Sequence, residues 1–402
     1  MDILKRGYSN MPKGAGSTGK KYELSIILPC LDEEQTIGVC VRKSLTFLKR
    51  NKINGEVIVA DNGSTDNSAR IASSAGATVV RIENKGYGSA LRGGIDFAHG
   101  KYIIMADADD SYELDNLMPF LEKLREGYDL VMGNRFKGGI RKGAMPWLHQ
   151  YIGNPLLSFT GKLFFKTPAG DFHSGLRGFT KEAAKKMNLQ TTGMEFASEI
   201  VIKSSILNMK VCEVPTILYP DGRERRPHLR SFRDGWRHLR FLLIYSPRWL
   251  FTYPGVLLSA IGSLLSIALF FGPVNIGFRL IDFHSFIITG TMTILGINLL
   301  SFSTITRVYA YNSGLLPNQP GFYSLFKYFN LEKGVAIGFV TLLIGLVLII
   351  KAVTLSNEFS IIGFNQSVRL VFGGSLGMIL GAQIVLTSFV LSILGLNMRN
   401  VR

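Results

Sequence analysis

Asp107 and Asp109 are the residues of this chain whose type and spacing most directly indicate chemistry. They flank Ala108 and follow Tyr102 to Ala106, an apolar run with the composition of a buried strand. Two carboxylates one residue apart at a strand end can bind a hard cation, because Mg²⁺ and Mn²⁺ prefer oxygen ligands. A lone Asp-x-Asp is common, so the prediction of a metal at Asp107 and Asp109 depends on what surrounds them.

Short apolar runs alternate with stretches of helical spacing over the first half of the chain. The strand-like runs are 24–29, 56–60, 78–82, 101–106 and 130–133, and helical spacing follows at 34–48, 66–74, 87–98 and 114–125. This alternation predicts an α/β domain with a mainly parallel sheet. Ligands bind such sheets beyond the carboxyl ends of the strands, where segments 29–33, 61–66, 84–88 and 107–109 fall. We therefore predict one site at that edge.

These four segments, in this order, resemble family 2 of the inverting glycosyltransferases, which have the GT-A nucleotide-binding fold. Gly133-Asn134-Arg135, the segment 171–179 and the basic and apolar regions that follow resemble dolichyl- or polyprenyl-phosphate hexose synthases, such as dolichol-phosphate mannose or glucose synthase. The resemblance covers about residues 22–250. It implies inverting transfer of a hexose from a nucleotide sugar, of the UDP-glucose or GDP-mannose type, to a polyprenyl or dolichyl phosphate.

The resemblance also implies residue roles on the donor side. The implied donor-binding residues are Pro29, Leu31, Glu33, Asp61, Gly86, Asp107, Ala108, Asp109, Arg223 and Arg230. Asp109 is expected to bind the cation directly, and Asp107 to contact ribose or metal. Ser111 stands where many relatives have Gln, which leaves Asp110 or a water as a further ligand. Residues 32–34 could instead cap the next helix, and the pair Gly86 and Gly88 could mark only a turn.

Arg135, Ser174 and Arg177 are the predicted ligands of the acceptor phosphate, and Arg135 is grouped with Asp107 and Asp109 as catalytic. A guanidinium at a strand end suits a phosphate through two parallel charge-assisted bonds. The alternative for Arg135 is a surface salt bridge. His173 could act as a base, although a lone loop histidine is more often a structural donor.

Charge nearly disappears from the chain after Trp249. Four apolar stretches, 251–272, 285–306, 335–355 and 370–396, predict a transmembrane domain over 250–402, since about 20 apolar residues cross a bilayer. Residues 1–21 have no apolar signal region and predict a disordered basic tail. The catalytic domain, 22–230, is therefore expected in the cytoplasm, with the cytoplasmic loops slightly richer in Lys and Arg.

Residues 231–249 predict an amphipathic helix at the membrane interface. Phe232, Trp236 and Leu239 follow helical spacing opposite a basic face, although a solvated linker is the alternative. The aromatic stretch 147–165 could likewise enter the interface and guide a lipid, or pack in the core. The net charge of +16 fits lipid headgroups and phosphates better than nucleic acid, for which no binding motif is present.

Two other functions remain open on sequence grounds. A processive polysaccharide synthase would carry Gln-x-x-Arg-Trp, but Tyr245 stands in the Gln position before Arg248 and Trp249. A catalytically silent membrane scaffold would not need the Asp107 and Asp109 pair. The expected partners are a nucleotide sugar, a polyprenyl phosphate, the membrane and possible further copies of the chain.

Overall fold

The structure, a computed structural model, describes residues 22–222, 231–277, 279–312, 331–355 and 361–396. The chain divides into two compact units between Phe241 and Leu242. The predicted tail, 1–21, and the predicted donor residues Arg223 and Arg230 lie outside the described residues.

A seven-stranded, mainly parallel sheet forms the centre of the first unit. Its order is β3-β2-β1-β4-β6-β5-β7, and only β6 runs antiparallel to its neighbours. The strands are β1 Tyr22–Cys30, β2 Gly55–Asp61, β3 Thr78–Arg81, β4 Gly100–Met105, β5 Leu130–Asn134, β6 Arg177–Thr180 and β7 Val211–Pro215. The predicted α/β architecture is confirmed.

Helices cover the sheet as the crossover connections of parallel strands require. They are α1 Ile37–Arg50, α2 Ser68–Ser74, α3 Tyr87–Phe97, α4 Met118–Arg125, α5 Arg135–Gly138, α6 Asn154–Phe165, α7 Lys181–Met187 and α8 Phe196–Ile206. A single π-helical turn, His149–Gly153, precedes α6. The central strands are buried on both faces, with Leu24, Ile26, Ile27 and Leu28 of β1 fully inaccessible. This explains why β1 reads as a continuous apolar run.

The register of the central strands places the predicted site at one edge. Cys30 at the end of β1 pairs with Asp61 at the end of β2, and Ile27 pairs with Met105 at the end of β4. The segments that follow these three strands therefore leave the sheet at the same edge, as the sequence predicts.

The second unit is built from four long apolar helices. They are α10 Tyr253–Phe271, α11 Phe283–Asn312, α12 Leu331–Leu355 and α13 Ile361–Leu396, with a short hairpin of β8 Val274–Ile276 and β9 Arg279–Ile281 between the first two. Each helix is long and apolar enough to span a membrane, which confirms the predicted number among the described residues. Glycines allow the close packing typical of membrane helices, as where a Cβ on Gly345 would meet the carbonyl of Gly374 at 2.6 Å.

The helix predicted over 231–249 is α9 Ser231–Tyr245, so it ends earlier than expected. Pro247 follows, and a π-helical turn, Arg248–Thr252, leads directly into α10. The physical reason is that proline supplies no N–H and disfavours a helical residue before it. Arg248 and Trp249 thus belong to the start of the first spanning helix.

Candidate active site

The loops that follow β1 and β2 are joined by hydrogen bonds from their acidic side chains. Asp61 Oδ1 accepts from the Ser64 amide at 3.1 Å, and Asp32 Oδ1 accepts from the Thr65 amide at 2.7 Å. Glu34 Oε2 accepts from the Asn67 amide at 3.2 Å. The N-cap residue of α1 is Thr36, which makes no side-chain capping bond. Asp32 and Glu34 bond the loop after β2, so the capping alternative is not supported for these two residues. These carboxylates shape the predicted donor pocket.

Gly86 occupies a turn that no side chain could enter. Its φ is 126°, and an added Cβ would lie 2.2 Å from the Thr192 carbonyl oxygen. Asn62 holds the turn, accepting from the Gly86 amide at 2.6 Å and donating to the Asn84 carbonyl at 2.8 Å. Gly86 is the N-cap residue of α3, and Gly88 lies inside that helix. The donor contact of Gly86 stays a prediction. Sequence reasoning missed Asn62, although its position directly after Asp61 was a usable signal.

Asp107 and Asp109 both lie partly exposed at the end of β4. Tyr87 Oη donates to Asp107 Oδ1 at 3.0 Å, and Ser111 Oγ donates to Asp109 Oδ1 at 2.6 Å. Asp110 has a φ of 60°, and its carboxylate pairs with Lys43 of α1 at 2.7 Å. Asp110 is thus engaged away from the pair, which weakens it as a further metal ligand.

The two carboxylates fit a Mg²⁺ or Mn²⁺ ion that shares its ligands with a substrate. No group of three or more His, Cys, Asp or Glu within the described ranges could hold a metal alone. Mg²⁺ is usually bound through one or two carboxylates together with substrate phosphates and water, so a pair is sufficient. The chemistry of the donor set therefore agrees with the predicted cation.

Two phenols stand behind the carboxylates, the half-buried Tyr87 and the buried Tyr112. Burial, together with the nearby Asp107 carboxylate, raises the pKa of Tyr87 well above its ordinary value. Burial raises the pKa of Tyr112 to about 12. Both hydroxyls are therefore protonated at neutral pH, and Tyr87 acts as a permanent donor to Asp107. Both tyrosines were missed by reasoning from sequence alone.

Gly175 brings the segment 171–176, which we call the acceptor loop, into contact with Asp107. Tyr112 Oη accepts from the Gly175 amide at 2.9 Å, and a Cβ added to Gly175 would lie 1.9 Å from Asp107 Oδ2. The close approach of loop and carboxylate is possible only because this residue is glycine.

Replacing Gly175 with alanine should displace the Asp107 carboxylate and lower kcat by tenfold or more, since misplacement by about 1 Å costs on the order of a hundredfold. The fold should persist, which thermal unfolding would check. Gly235→Ala in α9 is the matched control, because an added Cβ there meets nothing within 4 Å. Equal activity of the two variants would contradict a role for the contact.

Arg135 lies at the end of β5 and is buried. Its Nε and Nη2 donate to the two oxygens of Asp171, each at 2.7 Å, and the Asp171 side chain is fully inaccessible. Burial lowers the pKa of Arg135, but Tyr112 and Asp171 outweigh it, so that pKa lies above its ordinary value. The surface salt bridge proposed as an alternative is wrong, because the pair is internal. Nη1 makes no hydrogen bond within the described part of the chain and is the atom left to meet a ligand.

Arg177 contradicts its predicted role. It is completely buried, and its guanidinium donates to three backbone carbonyls: Ser174 at 2.8 Å, Phe172 at 2.7 Å and Ala197 at 2.5 Å. The reason is that Arg177 begins β6, an internal strand, with its side chain directed into the protein. It therefore fixes the acceptor loop to α8 instead of binding a phosphate.

Three buried polar atoms of His173, which is half-buried as a residue, and of the buried Ser174 have no hydrogen-bond partner within the described part of the chain. This applies to both ring nitrogens of His173 and to Ser174 Oγ. Burial lowers the pKa of His173 well below its ordinary value, and the nearby His238 and Arg135 act in the same direction. The ring is thus neutral, and the expectation of a structural donor is wrong in this structure. The acceptor role of Ser174 stays a prediction.

The first unit has a mainly parallel sheet with the Asp107 and Asp109 carboxylates beyond its strand ends. The acceptor loop, which Arg177 fixes in place, lies next to them. This architecture is that of the GT-A glycosyltransferases. Comparison with known proteins agrees. Residues 25–187 match the model of glycosyl transferase family 2, and residues 304–395 match the glycosyltransferase family 2 C-terminal transmembrane region.

Two relatives from Haloferax volcanii and one solved structure illustrate the similarity. A low-salt glycan biosynthesis hexosyltransferase is 36% identical over 376 residues, covering 92% of this chain and 89% of the relative. A dolichyl-phosphate hexose transferase is 28% identical over 48% of this chain and 81% of its own. The crystal structure of glucosyl-3-phosphoglycerate synthase from Mycobacterium tuberculosis with Mg²⁺ and UDP covers 56% of this chain and 79% of its own, at 23% identity and a TM-score of 0.45. The chain belongs to glycosyltransferase family 2, and it is a membrane protein.

Proposed function

We propose that this enzyme transfers a hexose from a nucleotide sugar to a polyprenyl phosphate at the cytoplasmic face of the membrane, with inversion. The observation that carries the proposal is the contact at Gly175, where the acceptor loop meets the Asp107 carboxylate. Donor and acceptor residues that touch one another allow direct transfer. The similarity to the hexosyltransferase and to the dolichyl-phosphate hexose transferase of Haloferax volcanii supports the substrate classes.

The donor would lie along the edge formed by the β1, β2 and β4 ends. Pro29, Leu31, Glu33 and Asp61 would surround the nucleoside, and the Gly86 turn would approach it through its backbone. Gly222, the residue before Arg223, donates its amide to the Asp109 carbonyl at 3.0 Å. Gly222, the last described residue before the basic segment, therefore lies beside the proposed diphosphate position.

A divalent cation held by Asp107 and Asp109 would supply charge neutralisation of the leaving diphosphate. Tyr87 would orient Asp107, and Ser111 would orient Asp109, so both carboxylates are preorganised. The acceptor oxygen belongs to a phosphate whose second pKa is about 6, so it is largely anionic at neutral pH. A general base is then unnecessary.

The acceptor phosphate would meet Nη1 of Arg135 and the hydroxyl of Ser174. Asp171 holds the guanidinium in place and leaves that edge available. Positioning and electrostatic stabilisation would provide the catalysis, as in other transfers to an anionic nucleophile.

An exposed apolar face lies on the helix that supports the acceptor loop. On the inner side of α6, Ser158 Oγ accepts from the Phe172 amide at 3.2 Å, and Gly161 packs on the Phe172 ring. The outer side of α6, together with the π-helical turn before it and the two residues preceding that turn, exposes large apolar side chains. We call this set the α6 apolar face: Trp147, Leu148, Tyr151, Ile152, Leu156, Phe159 and Leu163. The alternative in which the stretch 147–165 packs in the core is therefore wrong for these seven residues. Exposed apolar side chains in this number suit the lipid boundary where a polyprenyl chain would enter.

Trp147, which is 66% exposed, should insert into lipid. The chain has three tryptophans, so a variant with Trp236→Phe and Trp249→Phe reports on Trp147 alone. In nanodiscs, brominated lipid should quench this fluorescence strongly relative to ordinary lipid. The variant that retains only Trp249, at the start of the first span, is the positive control. Quenching of Trp249 without quenching of Trp147 would contradict lipid contact by the α6 apolar face.

The proposed function is tested by incubating membranes that contain the protein with a panel of labelled nucleotide sugars and measuring lipid-extractable label. Label in a mild-acid-labile polyprenyl-phosphate sugar is the expected product. Label in long polymer would instead identify a processive synthase, and absence of turnover with every donor would favour a binding scaffold. Asp109→Ala serves as the background for all donors.

A further inference from the structure

The buried ring of His173 needs a physical explanation. Both of its ring nitrogens are buried without a hydrogen bond among the described residues, which is unfavourable unless other contacts hold the ring in place. The ring of His173 packs edge-on against the ring of His238, with the centroids 4.4 Å apart. His173 therefore contributes an aromatic contact within the acceptor loop.

His238 belongs to α9, and its ring also makes a hydrogen bond to α8. Its Nδ1 is 2.9 Å from the Ser198 hydroxyl of α8, and both residues are buried. The same helix α8 receives Arg177 at the Ala197 carbonyl. Loop, α8 and α9 thus meet around two neighbouring residues of α8.

The contact between His173 and His238 matters because α9 directly precedes the first spanning helix. After α9 ends at Tyr245, the first spanning helix starts at Arg248. The exposed side of α9 carries Arg233, Arg237 and Arg240, a basic surface suited to anionic headgroups. The helix that precedes the first spanning helix in the chain therefore touches the loop that holds Asp171 and Ser174.

We propose that His238 is a positioning residue, which transmits the position of α9 to the acceptor loop through His173. The acceptor loop would adopt its binding geometry only when α9 occupies the position in which His238 contacts His173. The expected effect on enzyme kinetics rests on the proposed function. The contact between α9 and the acceptor loop rests on the structure alone.

Two substitutions of His238 separate the ring contact from the hydrogen bond. His238→Asn keeps a polar atom near the place of Nδ1, and so the Ser198 bond, but removes the ring that meets His173. His238→Phe keeps the ring and removes the bond. His99→Asn, at a partly exposed histidine beside Glu56, is the matched control.

Hydrogen exchange of the full-length protein in nanodiscs provides the readout that does not depend on activity. We expect His238→Asn to speed amide exchange in 171–176 by roughly three- to thirtyfold, the range of couplings through packed side chains. The apparent KM for polyprenyl phosphate should rise by a similar factor, while the KM for the nucleotide sugar stays within about twofold. His238→Phe should remain closer to the parent protein in both measurements.

Unchanged exchange in 171–176 in His238→Asn would overturn the proposal, as would equal effects on both substrates with a matching loss of thermal stability. If the parent protein transfers no sugar to polyprenyl phosphate, the proposed function fails. The exchange comparison would still decide whether α9 and the acceptor loop are coupled.

Discussion

Replacing Asp109 with alanine should lower kcat/KM by about a thousandfold or more, since each ~1.4 kcal/mol of barrier is a factor of ten and a bound cation supplies several kcal/mol. Asp109 lies at the strand end and is oriented by Ser111. Initial rates at saturating Mg²⁺ or Mn²⁺ would measure the effect. Mn²⁺ binding, followed by electron paramagnetic resonance in the presence of a nucleoside diphosphate, should weaken in parallel.

Asp110→Ala is the control for this prediction. It removes a neighbouring carboxylate of the same charge, but one that is paired with Lys43 at the partly exposed edge of α1. Such pairs contribute about 0–1 kcal/mol to stability, so activity should remain close to that of the parent. Activity of Asp109→Ala that resists chelators and matches Asp110→Ala would exclude a metal role for Asp109.

Asp171→Asn should destabilise the catalytic unit by about 3–5 kcal/mol, because it leaves the buried guanidinium of Arg135 without its counter-charge. The substitution preserves shape, so the effect reports on charge and hydrogen bonding. Chemical denaturation of the detergent-solubilised protein would measure it. Lys137→Ala is the control, since the exposed ammonium of Lys137 pairs with Glu213 and should contribute less than about 1 kcal/mol.

A double variant separates the structural role of the pair from its role in the reaction. Arg135→Met with Asp171→Leu removes both charges, and apolar replacement of a buried pair can restore stability. We expect a protein more stable than Asp171→Asn but still inactive toward polyprenyl phosphate. A stable and active double variant would show that Arg135 supports the fold and does not bind the acceptor.

The sequence by itself determined the features that depend on local pattern. The apolar run of β1 predicts a strand buried on both faces, and four long uncharged stretches predict four spanning helices. Each of these signals is repeated over many residues, and burial imposes it on every one of them. The order of strand ends along the chain also placed Asp61, Gly86 and Asp107 at one edge, because parallel strands share their direction.

The shorter elements gave no comparable signal. β6 has four residues and begins with an arginine, so neither alternation nor apolar composition marks it as an internal strand. The sequence therefore predicts that Arg177 binds a phosphate, as an arginine in a loop could. Its three carbonyl partners come from residues 172, 174 and 197, which only the folded chain brings together.

Charge pairing and burial depend on residues that are distant in sequence. Arg135 and Asp171 are 36 positions apart, and no local pattern reveals that one neutralises the other. The same holds for Asp110 with Lys43, for Asn62 under the Gly86 turn and for His173 against His238. The sequence thus determined which elements form and where their ends meet, whereas tertiary packing decided which charged side chains remain available for substrates, because desolvation requires each buried one to find a partner.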